Sequence, residues 1–418
     1  MIINFKALKG SWSYGRYLKV IAMGCLLIIG VFTVPGQSAE PVKSGLLFPV
    51  NITHPFPEAE KTFMEVQDLI LDQYYSGEIT REDLYWAAIK GMLRHISPPE
   101  TPDLSTIWPA ADYEKVLHSM KGEQISIGVK STFNPADGSL TVTEVMPDSP
   151  ADGIIQPMDR ILRVNDGKLK GKALSEVSSI LSGKEGEKIV LTINRDVKVF
   201  DVSIVCRKFS HRNLIATPLT EEITMVEIRQ FTAGIADRLK SELEKARSAG
   251  VRALIIDLRN NLGGVFIDAL KSVELFLPKN HILMRTRMRD TNVKNYVSVN
   301  TDPHVFSIAV LVNGKTASSA EILAAALRDH QKGILIGTRT FGKAIFEKTY
   351  TLENQMRVKF ITGAMYTPKG ISWHARGILP DFVVEQKDQT LSALLKMDPI
   401  ERAGKDVAII TALKLLKR

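Results

Sequence analysis

Between Phe56 and about Ser97, apolar residues recur three and four positions apart (Phe63, Val66, Leu69, Ile70 and Tyr74, then Leu84, Ala88 and Met92), the spacing of one helix face. The stretch SPPETPDLS, Ser97 to Ser105, carries three prolines and ends that pattern, and Ala110 to Met120 resumes it. From Gly122 to Lys208 the period shortens. Apolar runs at Ile125 to Val129, Leu140 to Val145, Arg160 to Val164, Ile189 to Ile193 and Val199 to Val205 alternate with Gly and Asp/Asn turns. One helical stretch, Ala173 to Leu181, interrupts them, and five such strands predict a small barrel or sandwich. After Arg212, strands and helices alternate. Thr224 to Ile228, Arg252 to Leu258, Phe306 to Asn313 and Gly333 to Thr338 read as strands; Ile235 to Ala249, Val265 to Leu277 and Ser318 to His330 read as helices. That order predicts a mostly parallel sheet covered by helices, with sites where strand ends give way to helices.

At 418 residues the chain has room for two or three domains. Its net charge of +8 suggests a polyanion partner until the charges are located. Lys6, Lys9, Arg16 and Lys19 all lie in the first 39 residues, which hold no acid; without these four the balance is +4, too small and dispersed for a nucleic-acid surface. The same segment reads as targeting: a basic stretch, an uncharged run from Val20 to Val34, then Pro35-Gly36-Gln37-Ser38-Ala39. A removed signal peptide and a retained anchor both fit, because the run of 15 residues is shorter than the roughly 20 that span a bilayer. Either way the remainder is exported. Of the two cysteines, Cys25 lies in this segment and leaves Cys206 alone, so no intrachain disulfide is expected. The eight histidines lack ligand spacing, and no metal or other cofactor is implied.

Three stretches carry chemistry. NGKTASSAEI, Asn313 to Ile322, opens a helix with hydroxyls among small residues. Ser318 with Glu321 fits a capping box, yet a hydroxyl at a helix N-terminus is also placed to act where negative charge develops. DLRNNLGGVF, Asp257 to Phe266, takes a buried strand through Gly263-Gly264 into a helix, either a tight turn or a loop offering backbone N–H groups to an oxyanion. GTRTFGKA, Gly337 to Ala344, nearly spells a phosphate-binding loop, but Ala344 lacks the hydroxyl and no helix follows, so a nucleotide site is disfavoured. What remains is Lys343 in a glycine-flanked turn beside Phe341, Ile345 and Phe346, surroundings that suit a lysine base. No Gly-x-Ser-x-Gly elbow occurs, which argues against a Ser-His-Asp hydrolase.

Two resemblances connect these stretches. SPADGIIQPMDRILRVNDGKLKG resembles the core of a PDZ domain, and ISIGV stands where such domains bind a chain-end carboxylate. Exposed N–H groups of Ile127, Gly128 and Val129 are therefore expected to take a peptide terminus, with β-augmentation alongside. TASSAEILAAALRDH, DLRNNLGG, GTRTFGKA and TGAMYTPKGISWHARGILPD together resemble the C-terminal processing peptidases, or tail-specific proteases, over roughly residues 56 to 385. The resemblance implies an α/β multidomain chain: a signal peptide or anchor (1–39), a helical N-terminal region (50–120), a PDZ-type small β-barrel (121–208), a mostly parallel α/β protease core (212–387) and a helical C-terminal tail (388–418). It implies Ser318 as nucleophile and Lys343 as general base, with Ser319 and Gly263 or Gly264 supplying oxyanion N–H groups. Further implications are protein or peptide substrates with accessible C-termini and a location in the bacterial periplasm or on the outer face of the inner membrane. Residues 20–34 would provide membrane association, and the helical regions would provide homo-oligomer contacts.

The chain departs from the family pattern at two places. The family's Gly-Lys-Gly is Gly342-Lys343-Ala344, and its glutamine four residues after the lysine is Glu347. A carboxylate beside the lysine favours the ammonium form, whereas a base must be uncharged. These departures support an alternative reading, a catalytically weakened PDZ-containing scaffold that binds peptides.

Overall fold

The computed structural model describes residues 58–99, 101–134, 136–146, 148–165, 167–170, 181, 183–210, 213–289 and 291–417. The targeting segment, and the predicted helix Ala173 to Leu181 except for Leu181, lie outside the described residues. Helices α1 (Ala59–Gln73) and α2 (Arg81–His95) follow the apolar spacing, with Thr80 and Asp83 closing a capping box at the start of α2. A short strand that the sequence did not announce, β1 (Thr106–Trp108), precedes α3 (Ala110–Met120).

The second region begins with β2 (Glu123–Ser126) and β3 (Val129–Asn134), which the sequence reading ran together. Gly128, at φ 84°, separates them. A side chain here would run into Ser149, so this left-handed position needs glycine. The strands β4 (Ser139–Val145), β5 (Arg160–Val164), β6 (Gly167–Lys168), β7 (Lys188–Arg195) and β8 (Lys198–Val205) follow, then β9 (Arg207–Ser210), which pairs with β2. The sheet order is β3-β4-β5-β7-β8, so β3 is an edge strand. Its core is the apolar side of the expected strands, including Ile127, Val142, Ile161, Leu191 and Ile193.

The region after Arg212 is built on the expected parallel sheet. β11 (Ile223–Ile228), β12 (Ala253–Asp257), β15 (Ser307–Val312) and β16 (Gly333–Gly337) lie side by side in chain order and parallel, with β10 (Leu214–Pro218) antiparallel at one edge and β19 (Phe382–Val383) at the other. These strands are buried on both faces, as parallel strands between two layers are. One face, with Leu254, Ile256 and Val310, packs against α4 (Ile235–Ser248), α5 (Phe266–Glu274) and α6 (Ser319–Asp329). The opposite face, with Met225, Ile255 and Ala309, is covered by Ala408, Ile409 and Ala412 of the C-terminal helix α9 (Val407–Leu416), which follows α7 (Asp388–Leu394) and α8 (Pro399–Ala403). The stretch anticipated as a tail thus forms a layer of the core.

A second sheet was not foreseen. β13 (Ile282–Met288), β14 (Lys294–Val297), β17 (Ile345–Thr351) and β18 (Arg357–Tyr366) join β1 in an antiparallel sheet, ordered β1-β18-β13-β14 with β17 also on β18. The turn holding Lys343 leads into this sheet, while the helix beginning after Ser318 leaves the parallel one. The site therefore sits where the two sheets meet.

Buried ion pairs fasten the C-terminal layer. Arg259 is clamped between Asp257 (2.7 Å) and Asp406 (2.8 Å), and Arg402 reaches Glu227 at 3.0 Å. Arg402 and Glu227 are 1% and 4% exposed, so removing one leaves the other charged and dry. Truncation of one partner of such a pair costs about 3–5 kcal/mol. Arg402→Ala should lower the unfolding free energy by that amount in a denaturant titration, and an unchanged midpoint would show that the pair is not a fastening.

Candidate active site

The strand-to-helix turns after β12 and β15 are tied together before either reaches the site. Asn260 and Asn313 exchange hydrogen bonds: Asn260 N–H donates to Asn313 Oδ1 (3.0 Å) and Asn313 Nδ2 donates to Asn260 Oδ1 (2.8 Å). Ala317 N–H donates to Asn261 O at 2.9 Å, and Asn261 Nδ2 anchors to Ile228 O at 2.7 Å. Thr316, whose hydroxyl donates to Leu258 O at 2.8 Å, is wholly buried and structural. The capping-box reading of the helix start also holds, with Ser318 as N-cap and Glu321 at N3 of α6.

Ser318 is different. Thr316, Ala317, Ser319 and Ala320 are buried, and of these five consecutive residues Ser318 alone keeps part of its surface open. Its backbone is held at φ 53° and ψ −116°, a conformation that L-residues rarely adopt. Strain of this kind costs about 1–3 kcal/mol and persists only where the surroundings over-determine it. They do so here: Ser318 N–H donates to Glu321 Oε2 (2.9 Å), Ser318 O accepts from Ile322 N–H (3.0 Å), and the preceding residue is pinned to Asn261. Ser319, the neighbouring hydroxyl, is committed to Gly264 O at 3.0 Å.

Glu321 is the centre of the arrangement, and sequence reasoning gave it only a capping role. Its carboxylate is fully buried and accepts four hydrogen bonds. Oε1 accepts from Thr340 Oγ1 and from Gly342 N–H (2.8 Å); Oε2 accepts from Ser318 N–H and Lys343 N–H, both at 2.9 Å. Sharing one oxygen, Ser318 N and Lys343 N can be no more than twice that distance apart. Burial pushes the Glu321 carboxyl above the ordinary carboxylate range, and the four donors pull it back. The motif after β18 supports the same turn: Ala375 N–H donates to Gly342 O (2.8 Å) and Ile378 N–H to Thr340 Oγ1 (2.7 Å).

Lys343 Nζ donates to Glu347 Oε1 at 2.7 Å, so the long side chains meet as their spacing suggested. Lys343 precedes β17 rather than lying on it, because the strand starts at Ile345. Both side chains are mostly enclosed, 23% and 14% exposed. Ala344, the other departure, is buried with an ordinary backbone and donates nothing to the site; its carbonyl takes Met365 N–H at 2.8 Å.

Two glycines were left open as oxyanion donors. Gly263, at φ 97°, lies against the Ser318 turn, with the space where a Cβ would sit 2.9 Å from both Ser318 Cβ and Ser319 N. Its own N–H is spent on Asn261 Oδ1 at 2.8 Å. Gly264, at φ 141° and so close to Phe231 O that no side chain fits, makes no hydrogen bond through its N–H among the described residues. Ser319 N–H, at the first turn of α6, likewise lies beyond the helix's own acceptors.

The PDZ-like loop departs from expectation. Ile127 and Gly128 are buried, and Val129 is partly so. Gly128 N–H is taken by Ser126 Oγ at 3.1 Å, so it is not the exposed donor anticipated. The two carbonyls are also used, Ile127 O by Ala151 N–H and Gly128 O by Met146 N–H, each at 2.9 Å. The residues pack the loop onto its own domain, while the edge of β3 stays unpaired.

Residues 222–384 match peptidase family S41, and residues 141–195 match a PDZ domain. The core, residues 222–384, is an S41-type peptidase domain. It is 26% identical over 393 residues to a "Probable CtpA-like serine protease" of Staphylococcus haemolyticus, spanning 93% of this chain and 78% of that protein. A Staphylococcus aureus protein of the same name is 29% identical over 379 residues, 90% of this chain and 74% of that one. A solved structure of a candidate S41 protease from Bacteroides fragilis shares the fold, with TM-score 0.55 at 18% identity over 84% of this chain and 97% of the other. The chain is thus a serine protease of family S41, acting on protein substrates.

Within this S41 core, Glu321 holds the turns of both Ser318 and Lys343. Glu321→Gln replaces an acceptor-only carboxylate with an amide that cannot serve all four donors. Losing one buried hydrogen bond to a charged group is worth about 1.5–3 kcal/mol, so kcat should fall roughly 10- to 100-fold with KM little changed. Steady-state kinetics with a small peptide checks this, and full activity in the variant would remove Glu321 from the account.

Proposed function

We propose that this S41 protease is an exported endopeptidase that cuts proteins recognised near their C-termini, through an acyl-enzyme formed on Ser318 with Lys343 as base. One observation carries the reading: a single buried carboxylate oxygen of Glu321 accepts from the backbone N–H groups of both Ser318 and Lys343. In the first step uncharged Lys343 takes the Ser318 hydroxyl proton and Oγ attacks the peptide carbonyl carbon. The developing oxyanion is received by the N–H groups of Ser319 and Gly264, the two donors near the nucleophile that are not already used. Collapse breaks the C–N bond, and the proton held by Lys343 passes to the leaving amine. Water then attacks the ester with the same lysine as base, releasing the new C-terminus and restoring Ser318.

Export rests on the basic and apolar segment before residue 40, and we place the protein in the periplasm or on the outer face of the inner membrane. Among the described residues no helix is long and apolar enough to cross a membrane, so any membrane hold is assigned to residues 20–34. Recognition of tails is assigned to the outer edge of β3, opposite β4, where no strand pairs among the described residues, by β-augmentation. The helical N-terminal region, with Phe63, Val66, Leu69 and Met92 exposed, is assigned to contacts between copies.

The weakened-scaffold reading has one observation in its favour, the 2.7 Å ion pair that occupies Lys343. Ser318→Ala and Lys343→Ala should each abolish hydrolysis of a small peptide without unfolding the protein, and combining them should add little, because the two act as a unit. Turnover surviving in Ser318→Ala would overturn the assignment, and wild-type protein without turnover at any pH would favour the scaffold.

Glu347 occupies the base. Its carboxylate holds the Lys343 amine in a 2.7 Å ion pair, and an ion-paired ammonium has no lone pair to take the Ser318 proton. Glu347→Gln removes the ion pair, and kcat on a small peptide at pH 7 should rise. Unchanged kcat in the folded variant would show that the ion pair does not govern the base.

A further inference from the structure

Glu347 has a second lysine on its face. β17 and β18 pair antiparallel with Glu347 opposite Ile361 and Thr349 opposite Lys359, and no irregularity falls between those pairs. Glu347 and Lys359 are therefore diagonal neighbours on one side of the sheet, a separation that long side chains bridge. Lys343 Nζ takes Glu347 Oε1, which leaves Oε2 without a hydrogen bond among the described residues. The Lys359 side chain makes no hydrogen bond or ion pair among those residues either. Its Nζ lies over the Trp108 ring, 5.4 Å from the centroid.

Burial holds the Lys359 ammonium below the ordinary lysine value; the Glu347 charge raises it and the Lys343 charge lowers it again. The three groups thus form one electrostatic unit. Other charges nearby are engaged elsewhere. Arg357 donates to Gln355 O and lies over the Tyr113 ring, Arg285 donates to Pro368 O, and Arg287 lies over Tyr366. Strand β1, paired with Lys359 through Thr106, supplies Thr106, Ile107 and Trp108, none of them charged.

We propose that Lys359 is a positioning residue that shares the Glu347 carboxylate with Lys343, and that drawing the carboxylate toward Lys359 frees Lys343 to act as base. The proposal rests on the Ser318/Lys343 reading. The observed arrangement is the resting one, with the carboxylate on Lys343 and the base charged. When Glu347 Oε2 engages Lys359, Lys343 gives its extra proton to solvent and can accept the Ser318 proton. Trp108 holds the idle Lys359 ammonium, so the helical N-terminal region reaches the base through Trp108, Lys359, Glu347 and Lys343 in turn. Lifting β1 from β18 would change the protease's pH response.

The test uses the full chain, with pH–rate profiles of kcat for Lys359→Met and Lys359→Arg, each alone and with Glu347→Gln. Lys359→Met should move the rising limb at least about one unit toward alkaline pH and lower kcat about tenfold at pH 7, with KM unchanged; Lys359→Arg should restore most of both. In the Glu347→Gln background at least half of the Lys359→Met shift should vanish, leaving only direct repulsion between the lysines. An equal shift in both backgrounds, or none in folded Lys359→Met, overturns the sharing. Ser318→Ala and Lys343→Ala run in parallel separate the two failures: if both are inactive and Lys359→Met is unshifted, only this inference falls, whereas if either is active the dyad itself falls.

Discussion

A carboxylate with no access to water organises this protease. Glu321 lies in the first turn of α6, where the helix N-terminus favours a negative charge, and its four donors come from two separate turns. An ionised group left dry and unpaired would be prohibitively costly, so each donor must be delivered accurately. That requirement fixes the backbone at Ser318 and at Lys343 together. The positive-φ strain at Ser318 follows from it, because the residue turns its N–H inward to Glu321 while keeping part of its surface open.

The two sheets explain how the donors arrive. The parallel sheet delivers the turns after β12 and β15, cross-linked by Asn260, Asn261 and Asn313. The chain then leaves β16, passes Thr340 and Gly342, and enters the antiparallel sheet at β17. The buried pairs Asp257–Arg259–Asp406 and Glu227–Arg402 lock the far side of the parallel sheet to the C-terminal helices. The same strands that carry the catalytic turns are therefore held from both faces. Lys343, Glu347 and Lys359 belong to the sheet junction, where β18 brings Lys359 to the face of β17 that carries Glu347.

Much of this was legible before the structure. The period of 3.6 gave α1 to α3, and the strand-helix alternation gave the parallel sheet with boundaries within a few residues, because these signals are local. The second sheet was hidden: β1 and β13 pair with β18 across long separations, and β1, β13, β14 and β18 carry mixed burial rather than clean alternation. At the site, the Lys343–Glu347 contact was readable from spacing, and the motifs singled out the turns of Ser318 and Lys343 that Glu321 joins. Glu321 was seen only as a cap because its other donors, Thr340, Gly342 and Lys343, lie 19 to 22 residues away. The choice between Gly263 and Gly264 turned on Asn261, whose side-chain orientation no sequence pattern reports. In the PDZ-type loop, Gly128 N–H is not the exposed donor expected because Ser126 Oγ takes it locally, a competition that motif matching does not register.

The central claim is that one carboxylate presents Ser318 as the nucleophile, with Ser319 and Gly264 N–H groups waiting for the oxyanion. A structure of the protein after reaction with a peptidyl phosphonate tests it most directly. The account requires phosphorus bonded to Ser318 Oγ, a phosphoryl oxygen within about 2.7–3.1 Å of Ser319 N and Gly264 N, and Glu321 still bound to both turns. Phosphorus on another residue, or an oxygen held instead by Gly263 N with Asn261 displaced, would contradict it.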